Sequence, residues 1–286
     1  MQDPPPSWVD PAMRFGYSAR GVVYVLVGTL AFLAALGGGS TPDSKSAVAK
    51  LLDMPLGKLM LALIALGLVA YAVWKLIDAA WDLDGKGEQP KGWVARSAQV
   101  LSGLIHLALA VSIASLAMGR SGSSGGDDNV DHWTAVLMQQ PAGRWLVAIV
   151  GAIAIAIGIQ HFVRAYQEKY KENMRYTHRA ERLDPVLKLG LAAHGLVVVI
   201  VGGFFLWAAW TADPSQAGGM REALAALRST EGGQILFAVV ALGLLGFAVY
   251  CFIQAAYRIV PRCAPQNLET LASRARGMMP DALKMR

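Results

Sequence analysis

The chain has 286 residues, of which 55% are hydrophobic and only 16% charged, and its mean hydropathy is +0.41. An ordinary soluble domain carries roughly 25% charged residues, so the composition excludes that class. The formal net charge is +6. We attribute it to membrane topology and expect no nucleic-acid partner.

Six apolar blocks follow one another along the chain, at residues 18–36, 57–79, 96–117, 143–165, 188–211 and 234–257. As a helix, each block is long enough to cross a hydrocarbon core about 30 Å thick. The period-two alternation of barrel strands is absent, and Leu, Ala and Gly dominate. The blocks therefore predict an all-α membrane protein with six transmembrane helices.

The distribution of basic residues predicts the orientation. Of the 26 lysines and arginines, 19 lie on the side of the membrane that holds both chain ends, so the positive-inside rule predicts cytoplasmic termini. Residues 1–13 lack a basic region followed by an apolar core, and we expect no cleaved signal peptide. Cys251 and Cys263 would then face a reducing compartment, where a disulfide is not expected.

The spans repeat as three copies of a two-helix unit. The second span of each copy starts at a matching glycine, at Gly57, Gly143 and Gly233. The first span carries glycines with the same spacing at Gly16, Gly21 and Gly28, again at Gly190, Gly195 and Gly202, and more weakly at Gly103. This period predicts a tail at 1–13, repeats at 14–92, 93–183 and 184–260, and a basic tail at 261–286. We expect a pseudo-threefold bundle with an inner-leaflet cavity.

The loops on the opposite side share a short amphipathic stretch, at residues 43–54, 131–140 and 220–228. We expect each stretch to form a helix on the outer membrane surface, with Asp43 and Asp131 as N-caps. The inner loop at 164–188 contains seven basic and four acidic residues. Its length predicts that the fourth helix continues into water until the chain turns near Pro185.

An ionisable residue at the centre of a span costs about 2.5–3.5 kcal/mol, so each such residue is expected to have a structural or functional role. Aligning the repeats places them at equivalent positions near the cytoplasmic side: Arg20, Ser102 and His194; Lys75, His161 and Cys251; Asp78, Arg164 and Gln254. In one interpretation the basic side chains snorkel to lipid headgroups and Asp78 neutralises Lys75. In the other, these residues line an inward-facing cavity for an anionic headgroup or a small anion.

His106 is the exception, because helical rise places it about 15 Å beyond Arg96, near the bilayer midplane. A Ser or Tyr on a neighbouring helix could satisfy its imidazole, and Tyr24 occupies the matching position of the first repeat. Proton relay and axial ligation of haem are the functional alternatives. Haem is the remote one, since the same rise places His194 only about 9 Å deep, and we expect no cofactor.

The candidate ligand-binding residues are Arg20, Tyr24, Lys75, Asp78, Ser102, His106, His161, Arg164 and His194. The sequence contains no phosphate-binding glycine loop, no paired metal-ligand motif and no Gly-x-Ser-x-Gly elbow. We therefore expect no catalytic residues, no metal site and no enzymatic activity.

The segment Phe15–Tyr24, the turn Pro55–Lys58 and the segment Gly67–Tyr71 resemble a bacterial family of six-span proteins catalogued as a domain of unknown function. The resemblance extends over residues 14 to 260 and implies three tandem two-helix units in a bacterial membrane. The third copy carries His194 where Arg20 stands, and the second copy carries Ser102 there. The family implies no activity and no catalytic residues.

These observations favour a multi-pass protein of the bacterial inner (plasma) membrane with a non-enzymatic role. We expect it to bind a lipid or amphiphile, or to act as a membrane scaffold. The alternative is a transporter or channel for a small solute, ion or proton that uses the cytoplasmic polar layer and His106. Membrane lipids with anionic headgroups at the inner leaflet are the expected partners, and a protein partner or a homo-oligomer remains open.

Overall fold

The computed structural model describes residues 8–37, 41, 44–87, 89–119, 130, 134–175 and 177–260, and within these ranges it contains helices and no strands. Six long helices are numbered here in chain order: α1 Val9–Gly37, α2 Gly57–Trp81, α3 Pro90–Ala117, α4 Gly143–Tyr166, α5 Asp184–Thr211 and α6 Gly233–Tyr257. All six are long and apolar enough to cross a membrane. The predicted fold class is confirmed.

The first helix of each repeat begins earlier than its apolar block, at Val9, Pro90 and Asp184. A proline lies in the first turn each time, where a missing N–H leaves no hydrogen bond unmade. In α1 this start falls inside the predicted tail 1–13. The acidic Asp10 in its first turn suits the positive end of the helix dipole and accepts a 2.7 Å hydrogen bond from Arg14.

The six helices form a ring in chain order, closed where α6 packs against α1. Every neighbouring pair in this ring packs along its length except α3 and α4, which barely touch. Only 17% of the apolar segment of α3 and 22% of that of α4 is buried, against 56% for both α1 and α6. We call the opening between them the α3–α4 gap. The end of the bundle where α1 begins and α6 ends is called the termini end.

One tight turn, made three times, explains the matching glycines at the start of the even helices. The residue before each glycine has a left-handed φ: 63° at Leu56, 62° at Ala142 and 71° at Gly232. A Cβ on the following glycine would lie 1.9 to 2.4 Å from a carbonyl oxygen of the preceding segment in all three copies. Only glycine fits so close to another backbone.

Small residues explain why two hairpins close and the third does not. A Cβ on Gly67 would lie 2.3 Å from the Cβ of Ala19, and a Cβ on Gly243 would lie 2.3 Å from the Cβ of Ala193. In lipid, such small residues let helix backbones come together. The equivalent positions of the second repeat hold Leu101 and Ile153, whose bulk keeps α3 and α4 apart. The ring is therefore open in the second repeat, which matches the shared glycine pattern least well.

The interfaces between repeats use a basic residue at one equivalent position to cap a helix end. Arg14 donates to the carbonyl oxygens of Ala255 and Ala256 at 2.9 and 2.8 Å, and Arg96 donates to those of Ala79 and Ala80 at 2.5 and 3.1 Å. These bonds satisfy the free carbonyls and the negative dipole end of the neighbouring helix. Lys188, at the third such position, binds the carboxylate of Glu168 instead.

The short helices predicted opposite the termini end lie within the predicted stretches. They are Ser44–Ala49 with a 3₁₀ turn at Lys50–Asp53, a helical segment at 134–138, and Met220–Ser229. They bury Val48, Leu51, Leu224 and Leu227 in the main core. The proposed caps Asp43 and Asp131, the residues 1–7 and the tail 261–286 lie outside the described residues.

The prediction that the fourth helix continues towards Pro185 is wrong, because α4 ends at Tyr166. The chain then folds back through a 3₁₀ turn at Lys169–Lys171 and a short helix at His178–Arg182. Lys171 holds this segment in place by binding Glu168 at 2.6 Å and Asp184 at 3.0 Å. These local ion pairs make the segment compact.

The contact between Gly67 and Ala19 predicts that Gly67→Ile, which introduces the residue of the second repeat, forces α1 and α2 apart. Overpacking of this kind costs about 1–3 kcal/mol or more, so the melting temperature in detergent should fall by several degrees. Gly203→Ile is the matched control, because a Cβ at Gly203 meets no atom within 4 Å. Equal melting temperatures for the two variants would contradict this account of the ring.

Candidate functional site

Arg20 lies inside the helix ring and is 8% exposed. Its Nη1 donates to the hydroxyl of Tyr71 at 2.7 Å, and its Nη2 lies 3.3 Å from Nε2 of His194. Its guanidinium carbon is also 5.5, 5.1 and 4.9 Å from the ring centres of Tyr24, Tyr71 and Phe247. Arg20 does not snorkel to the membrane surface; it is enclosed by aromatic rings on α1, α2 and α6.

The charge of Arg20 has no anionic partner in the part of the chain that the structure describes. Its hydrogen-bond partners are a tyrosine and a histidine, both neutral, and its Nε has no partner among the described residues. Arginine remains protonated in proteins, and a buried unpaired charge is strongly unfavourable. The interior of the ring is therefore an electropositive site suited to an anion.

His194 is buried beside Arg20 and stacks on Phe247 with ring centres 3.9 Å apart. Its Nε2 also lies 2.8 Å from the hydroxyl of Tyr24. Since a guanidinium can only donate, Nε2 must accept, which assigns the ring proton to Nδ1. That Nδ1 is buried and has no partner among the described residues, so the site contains a second unsatisfied donor.

Two further histidines lie on the helices that flank the gap. His106 on α3 packs against Tyr71 with ring centres 4.6 Å apart, and His161 on α4 packs against His194 at 4.8 Å. Each Nδ1 is bonded to a backbone oxygen one turn back, that of Ser102 at 2.7 Å and that of Ile157 at 2.8 Å. Both imidazoles are half-buried, and their Nε2 atoms have no partner among the described residues.

His106 therefore joins the other polar residues in one cluster instead of standing apart at the midplane. It touches Tyr71, whose hydroxyl binds Arg20, and Arg20 in turn contacts His194 and, through it, His161. Its hydrogen bond comes from its own helix, and Ser102 contributes its backbone carbonyl. Depth counted along single helices does not show which side chains of different helices meet, and these contacts are formed between helices.

The charged candidates nearer the termini end are two cations without an ion pair among the described residues and one carboxylate held by hydrogen bonds. Lys75 is half-buried with its Nζ 5.7 Å from the ring centre of Tyr71, and Arg164, also half-buried, follows His161 by three residues on the same helical face. Both are electrostatic neighbours of His161. Asp78 does not form an ion pair with Lys75; it accepts from Gln99 at 2.5 Å and from the N–H of Asp84 at 3.0 Å.

Sequence reasoning missed Tyr71 and Phe247, which hold Arg20 and His194. They occupy one equivalent position of the repeat, where the second copy has Ile157. That position is aromatic only in the two closed hairpins, and this difference between the copies is the sequence feature that could have identified both residues.

Sequence reasoning also missed Arg258 and Asp84, which close the ring at the termini end. Arg258 is 6% exposed, and its Nη2 donates to both carboxylate oxygens of Asp84 at 2.8 and 2.9 Å. Its guanidinium carbon lies 5.6 and 5.7 Å from the rings of Tyr17 and Trp74. Hydrogen bonds between two ionised groups are about twice as strong as those between neutral groups. The pair ties the segment after α2 to the end of α6.

The arrangement presents positive charge and hydrogen-bond donors, which suit an anion. In the described part of the chain, no group of three or more His, Cys, Asp or Glu side chains could hold a metal ion. The site offers the cations Arg20, Lys75 and Arg164 and the unsatisfied Nδ1–H of His194, and the Nε2 atoms of His106 and His161 lie on the helices that flank the gap.

The Asp84–Arg258 pair predicts that Asp84→Asn destabilises the protein by about 3 kcal/mol at neutral pH, because it leaves Arg258 buried without its counter-ion. Burial opposes the charged form of Asp84, but the Arg258 guanidinium prevails and holds the pKa of this carboxyl well below its usual range. A depressed folded pKa stabilises the protein above the unfolded pKa of about 3.9 and loses that contribution as pH falls further.

Melting temperatures of wild type and Asp84→Asn, measured from pH 7 down to pH 3, check this. Their difference should be largest near neutrality and shrink below about pH 4. Asp53→Asn, at an exposed carboxylate, should follow wild type throughout. A constant difference at every pH would mean that the ion pair is not the source of the stability.

Comparison with known proteins agrees with this architecture. The profile described as "Domain of Unknown Function (DUF1206)" matches three times, at residues 15–82, 97–168 and 189–258. The chain is also 29% identical over 255 residues to "Uncharacterized protein YxxB" of Bacillus subtilis (strain 168), covering 88% of this chain and 92% of that protein. No solved structure matches. With three copies of the domain along one six-helix ring, the chain belongs to the DUF1206 family of proteins of unknown function.

Proposed function

We propose that this multi-pass membrane protein lies in the bacterial cytoplasmic membrane with its termini end towards the cytoplasm. The excess of basic residues on that side supports the orientation. The location of Lys75 and Arg164 towards the termini end would then place them in the inner leaflet, near anionic headgroups.

We propose further that the protein has a non-enzymatic role and binds an anionic amphiphile inside the ring. The observation that carries this proposal is Arg20, a buried charge without a described carboxylate partner and with an unsatisfied Nε. A charge held in this way inside a membrane protein marks a functional site. An acidic headgroup would complete the site by accepting from Arg20 and from Nδ1 of His194.

The α3–α4 gap supplies the route of entry. It lies across the ring from the α6–α1 contact, so an amphiphile arriving from the bilayer would pass between α3 and α4 with its headgroup leading. Lys75 and Arg164 would attract the headgroup, and the apolar walls of the gap would contact the hydrocarbon part. The amphiphile would never need to leave the membrane to bind.

Transport of a small solute or ion is the second candidate function. It would require a continuous polar path, and at the termini end the fully buried Tyr71 and Trp74 lie between Arg20 and the Asp84–Arg258 pair. Liposome flux assays on wild type and Arg20→Ala distinguish the two functions. Flux that depends on a gradient and on Arg20 would favour transport, and its absence favours binding.

Native mass spectrometry of protein purified in mild detergent tests the proposed binding directly. Wild type should retain an anionic amphiphile, and Arg20→Gln should lose at least about tenfold of its occupancy, because a charge-assisted hydrogen bond contributes about 1.5–3 kcal/mol. Arg179→Gln removes the same charge at an exposed site outside the ring and should leave occupancy unchanged. Equal loss in both variants, or no bound amphiphile in folded wild type, would contradict the proposal.

A further inference from the structure

The second repeat departs from the other two at four positions that all lie at the α3–α4 gap. Leu101 and Ile153 replace small residues and hold the gap open. His106 stands where the other copies have Tyr24 and Val198, and His161 stands where they have Lys75 and Cys251. The repeat that opens the ring therefore also places one imidazole on each side of the opening.

The same hydrogen bond fixes the tautomer of both imidazoles. Each Nδ1 lies 2.7 or 2.8 Å from the carbonyl oxygen four residues earlier in its own helix, and a carbonyl can only accept. Nδ1 therefore carries the proton, and Nε2 presents a free lone pair. A backbone carbonyl that fixes the tautomer and ring orientation is the usual outer partner of a metal-ligating histidine. Neither Nε2 has a partner among the described residues.

From this geometry we propose that His106 and His161 are the two axial ligands of a haem bound edge-on in the α3–α4 gap. The inference deepens the proposed function, because haem is itself an anionic amphiphile with an apolar ring and two carboxylates. Its propionates would lie towards Arg20, Lys75 and Arg164. His194 is not a ligand, since its Nε2 already contacts Tyr24 and Arg20.

The number of ligands favours haem over a free metal ion. Two histidine nitrogens do not complete the coordination of a protein-bound metal ion, and the described residues contain no group of three metal-binding side chains. A porphyrin supplies four nitrogens of its own, so two axial imidazoles are sufficient. His106 and His161 lie on α3 and α4, the two helices that flank the gap. His194 lies on α5 and is buried beside Arg20.

Hemin titration of the purified full-length protein, followed by optical spectroscopy, tests the proposal. Wild type should bind hemin stoichiometrically and give, on reduction, the sharp α and β bands of low-spin, six-coordinate haem. His106→Ala and His161→Ala should each turn the spectrum high-spin and weaken binding by at least about tenfold, since loss of an outer partner alone costs that much. His178→Ala, at an exposed histidine whose Nδ1 lies 3.6 Å from Glu181, should match wild type.

Methionine variants distinguish ligation from a structural role. His106→Met and His161→Met keep an axial donor and should give low-spin spectra with a raised reduction potential, which a packing defect would not produce. Folded wild type that binds no hemin, or hemin spectra unaffected by both histidine variants, would overturn the proposal. A retained anionic lipid that depends on Arg20 in the same preparation would leave the proposed amphiphile binding standing.

Discussion

The structure depends on how closely two helices can approach in a solvent that gives them no hydrophobic reason to associate. Gly67 against Ala19, and Gly243 against Ala193, bring backbones together in the first and third hairpins, so that dispersion contacts along the whole helix replace the missing driving force. The second hairpin has Leu101 and Ile153 at these positions. Close approach of the backbones thus joins the helices of the first and third hairpins, and the bulkier residues of the second hairpin keep its helices apart.

An open ring makes a buried arginine tolerable. In a closed bundle Arg20 would hold an uncompensated charge among aromatic rings, and the penalty would be difficult to offset with the neutral hydroxyl of Tyr71 and the imidazole of His194. The α3–α4 gap across the ring is the route by which the proposed anion would reach it. Cation–π contacts with three rings hold the guanidinium in place meanwhile.

Polar contacts join the repeats at both ends of the ring. At the termini end Arg258 binds Asp84, and Arg14 and Arg96 cap the helices of neighbouring repeats, so the repeats are joined by charge-assisted bonds. At the other end the tight turns and short helices pack with apolar contacts. Arg144 adds a cap there by donating to the carbonyl oxygens of Ala209 and Trp210, both at 3.2 Å.

Hydropathy and internal repetition determined the six helices, their bounds on the loop side and the threefold plan, because a membrane leaves few ways to satisfy a backbone. They also identified Arg20, Lys75, His161 and His194 as ionisable residues inside apolar spans, where such residues are unfavourable without a structural or functional role. The sequence by itself did not reveal Tyr71, Phe247, Asp84 or Arg258. Aromatic residues in a span, and charged residues beyond its end, do not have the free-energy cost that singles out an ionisable residue inside a span. Only the tertiary structure decided which helices meet, because that depends on matching side-chain volumes across an interface. It thereby brought His106 into the cluster and set it across the α3–α4 gap from His161.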